Sequence, residues 1–206
     1  MKSLILASAI ALAAASTGWA DSNLVVNGNF DQDTSSWMPV NSNYLLAWDP
    51  RDVMNSQTSG SGKVTSLQAD AGSDDNPGSG ADQCIPITQH RNQLTAFYFI
   101  PSGQGKTAEP DAALAFFDDT VCQGGGVGQV LIPKGASTTD MWLQLAGDVF
   151  APAGAQSAHV ILRPRKIEAG GSIDVLFDAV FVPEPGAAAL GTSALAALAL
   201  RRRLLS

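Results

Sequence analysis

Between residues 21 and 182 the apolar residues come in short runs, many of them alternating with polar ones, and Gly, Pro, Asn, Asp and Ser clusters separate them. Alternation puts successive side chains on opposite faces of a strand, so such runs predict half-buried strands rather than helices. The candidate strands cover 23–26, 43–48, 63–69, 83–87, 94–100, 112–117, 129–132, 141–150, 157–163 and 173–182. Val160 and Leu162, then Val175 and Phe177, show the two-residue period clearly. No segment in this stretch carries a helical stripe. Many short strands divided by turn residues predict an all-β sandwich or barrel. The stretch 70–82, rich in Gly, Ser and Asp, reads as a loop.

The two ends break this pattern. Lys2, the apolar stretch 4–15 and the small residues around Ala20 have the layout of a secretory signal peptide over residues 1–20. At the other end stand Pro183, Glu184 and Pro185, then an uncharged Ala- and Leu-rich run over 186–200, then Arg201, Arg202 and Arg203. The run is shorter than the roughly 20 residues of a spanning helix, but extension through Leu204 and Leu205 with snorkelling arginines narrows the gap. The arginines would stay on the cytoplasmic side, which puts everything before them outside. Residues 21–182 remain as one domain, long enough to bury a core.

That tail, Val182 to Glu184 with Pro185, the apolar run and the arginines, resembles the PEP-CTERM sorting signal of Gram-negative bacteria. The resemblance implies a C-terminal transmembrane sorting helix over 183–206, held in the membrane until an exosortase processes it after signal peptidase has acted at the N-terminus. It also implies delivery to the outer cell surface or extracellular matrix, in a setting tied to exopolysaccharide.

Composition narrows the partners. The net charge is −7 at pH 7, and loss of Lys2 and the tail arginines leaves the exported part more acidic still. A polyanion such as nucleic acid is a poor partner for that surface. The two cysteines, Cys84 and Cys122, predict one structural disulfide in an exported chain. Closing a loop of that length contributes about 4 kcal/mol in the chain-entropy picture.

The opening segment of the domain carries Leu24-Val25-Val26, the Asn27-Gly28 turn, Asn29-Phe30-Asp31 and Trp37; its end carries Trp142, the Ala151–Ala155 turn and Phe177-Asp178-Ala179-Val180. In this arrangement the domain resembles galactose-binding-like modules, the carbohydrate-binding type of jelly-roll β-sandwich with two antiparallel sheets. The resemblance implies a structural calcium ion where the first and last strands meet. By position its ligands are the Asn29 carbonyl and the Asp31 and Asp178 carboxylates, with a further carbonyl from residues 61–63. Hard oxygen ligands suit that ion. The resemblance also implies Trp37 and Trp142 as core residues.

Sugar recognition needs exposed aromatic rings beside a few orienting polar groups. Trp48 ends an apolar run just before Asp49-Pro50-Arg51 and is the leading platform, followed by Tyr44 and Tyr98. Tyr98 alternates with Phe97 and Phe99, so either it or they face outward. Catalytic signals are weak. His90 and His159 stand alone, the Asp74-Asp75 and Asp118-Asp119 pairs are adjacent rather than opposed, no serine sits in a nucleophile elbow, and Gly124-Gly125-Gly126 is a turn without a phosphate-binding lysine. The sequence therefore points to a non-enzymatic exported protein that binds carbohydrate or accompanies exopolysaccharide. The competing expectation is a structural matrix or biofilm protein with no discrete ligand.

Overall fold

The structure is a computed structural model that describes residues 23–70, 78–87 and 91–184. The expected signal peptide, Pro185, the apolar tail run, Arg201, Arg202, Arg203, Asp74-Asp75 and His90 lie outside the described residues. Ten strands follow in order: β1 (Met38–Pro39), β2 (Tyr44–Asp49), β3 (Ser61–Ser66), β4 (Ala81–Pro86), β5 (Arg91–Phe99), β6 (Asp111–Phe117), β7 (Gly126–Leu131), β8 (Trp142–Phe150), β9 (Ser157–Arg163) and β10 (Ile173–Phe181). They form two five-stranded sheets, β1-β4-β9-β6-β7 and β2-β3-β10-β5-β8, with every pairing antiparallel. The all-β expectation of two antiparallel sheets holds.

The core lies between the sheets and follows from the alternation. In β5, Asn92, Leu94, Ala96 and Tyr98 are buried while Arg91, Gln93, Thr95, Phe97 and Phe99 face the other way. Leu114, Phe116, Val160, Leu162, Val175 and Phe177 meet Leu94 and Tyr98 in one apolar cluster. Burial of such side chains contributes about 1.5–3 kcal/mol each, an upper figure relative to an extended unfolded chain.

The first sheet buries charge as well. β6 and β9 pair Asp111 with Arg163, and both side chains are nearly inaccessible. Arg163 donates from Nε to Asp111 Oδ1 at 2.5 Å and from Nη2 to Oδ2 at 2.8 Å. Arg165 Nε approaches the same carboxylate at 3.6 Å. Two guanidinium groups thus compensate one buried carboxylate.

Cys84 of β4 and Cys122 of the loop between β6 and β7 are disulfide-bonded, as expected. Cys84 lies opposite His159 of β9 across the sheet. His159 Nδ1 lies 2.9 Å from an Asp82 carboxylate oxygen, and its ring meets Phe117 edge-on at 5.2 Å.

Two details depart from the strand pattern. The expected strand at 23–26 makes only a β-bridge, Asn23 with Pro183, reinforced by Leu24 N–H donating to Val182 O at 2.8 Å. The short β1 at Met38–Pro39 has no alternation to betray it, and its proline restricts it to a sheet margin.

Candidate functional site

The segment Asn27 to Trp37 is folded by its own polar groups. Asn27 adopts φ 51°, a left-handed conformation that Asn tolerates, and its Oδ1 accepts Asp31 N–H at 3.1 Å. Gly28 sits against β10 so closely that a Cβ there would lie 2.1 Å from Val180 O, while Gly28 O accepts Val180 N–H at 2.9 Å. Only glycine permits that approach. Phe30 is fully buried and stacks on Trp37 at 5.5 Å, and Trp37 Nε1 donates to Asn27 O at 3.2 Å. Trp37 is therefore core, as expected.

This packing brings Asn29 and Asp31 to the end of β10, where the ladder breaks. The register shifts between Asp178 and Phe181, and Ala179 takes φ 47°. Such a bulge re-aims a side chain. Asp178 is turned into a depression of about 260 Å³ lined by Asn29, Asp31, Asp52, Ser56, Thr58 and Ser59 among others. The three residues expected to hold a cation, Asn29, Asp31 and Asp178, are thus brought together, and Asp52 joins them. The expected carbonyl from residues 61–63 does not line the depression.

Asp178 and Asp52 face each other at hydrogen-bonding range. Asp178 is 1% exposed, and burial pushes its pKa up to about 7, with the Asp52 carboxylate adding to the rise. Val53 N–H (2.9 Å) and Ala179 N–H (2.6 Å) donate to it and offset part of that effect. At Asp52, burial also acts upward, but amides of Ser56 and Met54 and the hydroxyl of Ser59 outweigh it and hold the pKa below the usual range. Two facing carboxyl groups need a proton or a cation between them. Continuing the Phe177–Gly62 register by one residue sets Ser61 beside Asp178, and the buried Ser61 Oγ has no hydrogen-bond partner. The paired carboxylates, Asn29 and the hydroxyl residues Ser56, Thr58 and Ser59 that line the depression make an oxygen-rich donor set that fits a hard cation such as calcium. Among the described residues there is no cluster of three or more His, Cys, Asp or Glu side chains of metal-binding geometry. A cation here would rely on carbonyl, hydroxyl and water oxygens beyond the two carboxylates.

The expected aromatic platforms divide. Tyr44 and Tyr98 are each 1% exposed and belong to the core, so neither ring is a surface platform. Tyr98 points inward, and its hydroxyl donates to Ala136 O at 3.0 Å; Tyr44 OH accepts from Gln68 Nε2 at 3.1 Å. Trp48 stays at the surface with 39% exposure.

The alternation of β5 consequently turns Phe97 and Phe99 to the outside of the second sheet. Trp142, expected in the core, stands beside them, because its partner across the β5–β8 pairing is the outward Phe99. The rings of Phe99 and Trp142 lie 5.4 Å apart. The registers align Ala47, Lys63, Leu176, Phe99 and Trp142 in one row across all five strands. Four inter-strand steps of about 4.8 Å make that row about 19 Å long. Polar groups flank it. Arg51 lies 5.3 Å over Phe99 and is forked onto Asp49 through two 2.8 Å bonds, which hold the Asp49 carboxyl below its ordinary range. Lys63 approaches Asp174 at 3.7 Å, Thr65 donates to Asp174 at 2.5 Å, and Gln144 is exposed.

Among the described residues, neither the Asp52–Asp178 contact nor the Asp118-Asp119 pair has the spacing of a hydrolytic pair. Asp52 and Asp178 touch, whereas the two acids of a glycosidase stand about 5 Å or more apart across the scissile bond. Asp118 and Asp119 are occupied by their own loop, accepting from Gly125 N–H at 2.7 Å and Gln123 N–H at 3.2 Å. No helix among the described residues is long and apolar enough to cross a membrane.

No family model and no curated protein sequence matches the chain. Solved structures do. A xylan-binding domain from Paenibacillus barcinonensis superposes with a TM-score of 0.57 at 12% identity, over 80% of this chain and 95% of that domain. A second xylan-binding domain of carbohydrate-binding module family 22 gives 0.56 at 14% identity, over 81% of this chain and 97% of that one. The CBM22-1 and GH10 modules of a Clostridium thermocellum endo-1,4-beta-D-xylanase, complexed with xylohexaose, give 0.59 at 14% identity. This chain covers 81% of itself in that match but spans only 29% of the xylanase chain. At these identities the likeness is one of fold. The described chain is a β-sandwich of the carbohydrate-binding-module type.

Proposed function

We propose that this is an exported, non-catalytic protein that binds polysaccharide, with the sugar chain lying across the outer face of the second sheet. The observation that carries the proposal is the row through Lys63, Leu176, Phe99 and Trp142 on the outer side of the second sheet, in which Leu176 is covered and Lys63, Phe99 and Trp142 are partly exposed. Aromatic rings supply stacking area for the C–H faces of sugars, and Arg51, Lys63 and Gln144 supply hydrogen-bond donors at its margin. Fold alone does not carry a function, so the argument rests on this face. The Cys84–Cys122 bond suits an oxidising compartment, and the signal-peptide and PEP-CTERM-like segments at the two ends supply a route through signal peptidase and exosortase to the surface of a Gram-negative cell. An exopolysaccharide is the natural ligand in that setting.

Calcium belongs to the same proposal as a structural ion. Asp52 and Asp178 would hold it, with the Asn29 carbonyl and Asp31 at the margin of the depression. It would tie the segment 27–31 to β10 and the 52–59 loop, and replace the proton that Asp178 otherwise needs.

Affinity electrophoresis of the purified protein in gels containing xylan, glucan, mannan or bacterial exopolysaccharide tests this reading. Retardation by at least one polysaccharide is expected, and Trp142→Ala should abolish or strongly reduce it. A folded protein that no polysaccharide retards would instead be a structural matrix protein.

A further inference from the structure

We infer that the molecule has a second glycan subsite, on the opposite side of β2 from the aromatic row, in which a neutral pyranose ring stacks on Trp48. This rests on the carbohydrate-binding reading above but concerns a different place. In β2, Leu45, Ala47 and Asp49 share the side of Lys63 and Phe99. Trp48 pairs with Gly62, whose row continues through the buried Phe177 and Tyr98, so it points to the side of the core. At the sandwich margin that side is open to water.

Trp48 is held as a platform rather than left loose. Its Nε1 donates to Phe30 O at 2.8 Å. Gly60 lies so near the ring that an added Cβ would come within 2.5 Å of Cε2 and 2.6 Å of Cζ2. The absence of a side chain at position 60 lets the indole rest against the backbone. A ring fixed before the ligand arrives loses little conformational freedom on binding. The exposed part of the indole lines an open depression of about 360 Å³ with Asp31, Gln32, Gln57 and Thr58, within the size range of small-ligand sites.

The chemistry of that lining selects the ligand. Two primary amides each offer a donor and an acceptor, the hydroxyl of Thr58 does both, and the Asp31 carboxylate accepts. These groups match neighbouring hydroxyls of a sugar ring. The described lining residues include no Lys, Arg or His, and Asp31 contributes a negative charge. With no cation in the neighbouring carboxylate depression, an anionic sugar such as a uronate is repelled. The aromatic row, with Arg51 and Lys63 at its margin, carries no such bias. The depression also shares Asp31 and Thr58 with the neighbouring carboxylate depression, so a sugar seated on Trp48 lies beside Asp52 and Asp178.

The test is a two-dimensional NMR titration of the purified protein in chelator that follows indole and side-chain amide resonances, with xylohexaose, cellohexaose and mannohexaose as neutral probes and an oligogalacturonide as the anionic one. Trp48→Phe and Trp142→Phe assign the two indole signals. At least one neutral probe should move the Trp48 indole and the Gln32 and Gln57 amides saturably, and the oligogalacturonide should leave them still. Gln57→Ala, an exposed change that leaves the core untouched, should weaken binding at Trp48 about threefold to tenfold, the worth of a neutral hydrogen bond, with Trp142 shifts unaltered. A still Trp48 signal with every neutral probe overturns the subsite, and so does an equal response to the oligogalacturonide. Movement of Trp142 alone leaves the sheet-face reading standing without the subsite. Movement of Trp48 alone does the reverse.

Discussion

Asp111 and Asp178 are each 1% exposed, on different sheets, and differ in what faces them. Asp111 meets two guanidinium groups and is neutralised within the fold. Asp178 meets another carboxylate. The first arrangement is complete and asks for nothing from outside. The second is complete only with a proton or a cation. Equal burial thus marks a structural ion pair in one place and a candidate binding site in the other, and the sign of the partner distinguishes them.

The largest effect should come from breaking the complete site. Asp111→Ala leaves Arg163 buried with its main counter-charge gone and should cost about 3–5 kcal/mol in denaturant unfolding. Exchange of both partners for apolar residues of similar volume should cost far less. Next comes the disulfide: reduction, or the Cys84→Ala/Cys122→Ala pair, should lower stability by up to about 4 kcal/mol, since the bond closes a separation of 38 residues.

Asp178 should respond in the opposite sense to Asp111. Calcium at about a hundred times its dissociation constant should stabilise the protein by about 2.7 kcal/mol, seen as a higher melting temperature that chelation reverses. Asp178→Asn should abolish that response. In chelator the wild-type carboxyl has a folded pKa raised from 3.8 to about 7. Its contribution is full below the unfolded value and lost as pH rises through the folded one, so stability should fall between about pH 4 and 7 and the asparagine variant should flatten that slope. An unchanged melting temperature with and without calcium would falsify the cation site.

The smallest effect belongs to His159. The Asp82 carboxylate bonded to it raises its pKa above the ordinary 6.5, more than half-burial lowers it. Its contribution is present below 6.5 and lost as pH rises through the raised value. His159→Gln should remove that decline from pH-dependent unfolding curves.

Most of the sandwich was legible because alternation is a local property. Each of β2 to β10 overlaps a stretch read from the chain, and the disulfide followed from two cysteines in a chain expected to be exported. What alternation leaves open is which of its two faces is the core. For β5 it is Tyr98 that faces the core, where its hydroxyl reaches the carbonyl of Ala136, a partner 38 positions away that local alternation does not reveal. Trp142 was assigned to the core by resemblance, yet its position opposite Phe99 commits it to the outside. Asn29, Asp31 and Asp178 were singled out by resemblance, and they meet because the turn at 27–31 docks on the bulged end of β10. Asp52 escaped notice because it sits in an irregular loop and meets β10 only through tertiary contact, 126 positions away in the chain. The acidic turn Asp49-Pro50-Arg51-Asp52 after Trp48 was the one available signal.

The clasp of Asn23 on Pro183 has a mechanical meaning. Asn23 also grips Val180 O and Val182 N–H through its amide at 2.8 and 2.9 Å, so the two ends of the domain leave from one point. Tension between tethers at those ends would open the clasp bond by bond, as a zipper opens. Tension between one tether and a polysaccharide across the second sheet would run through the β10 ladders on both sides, where many bonds share the load in shear. Under flow, a protein held at one end only should keep its grip far longer than one pulled from both.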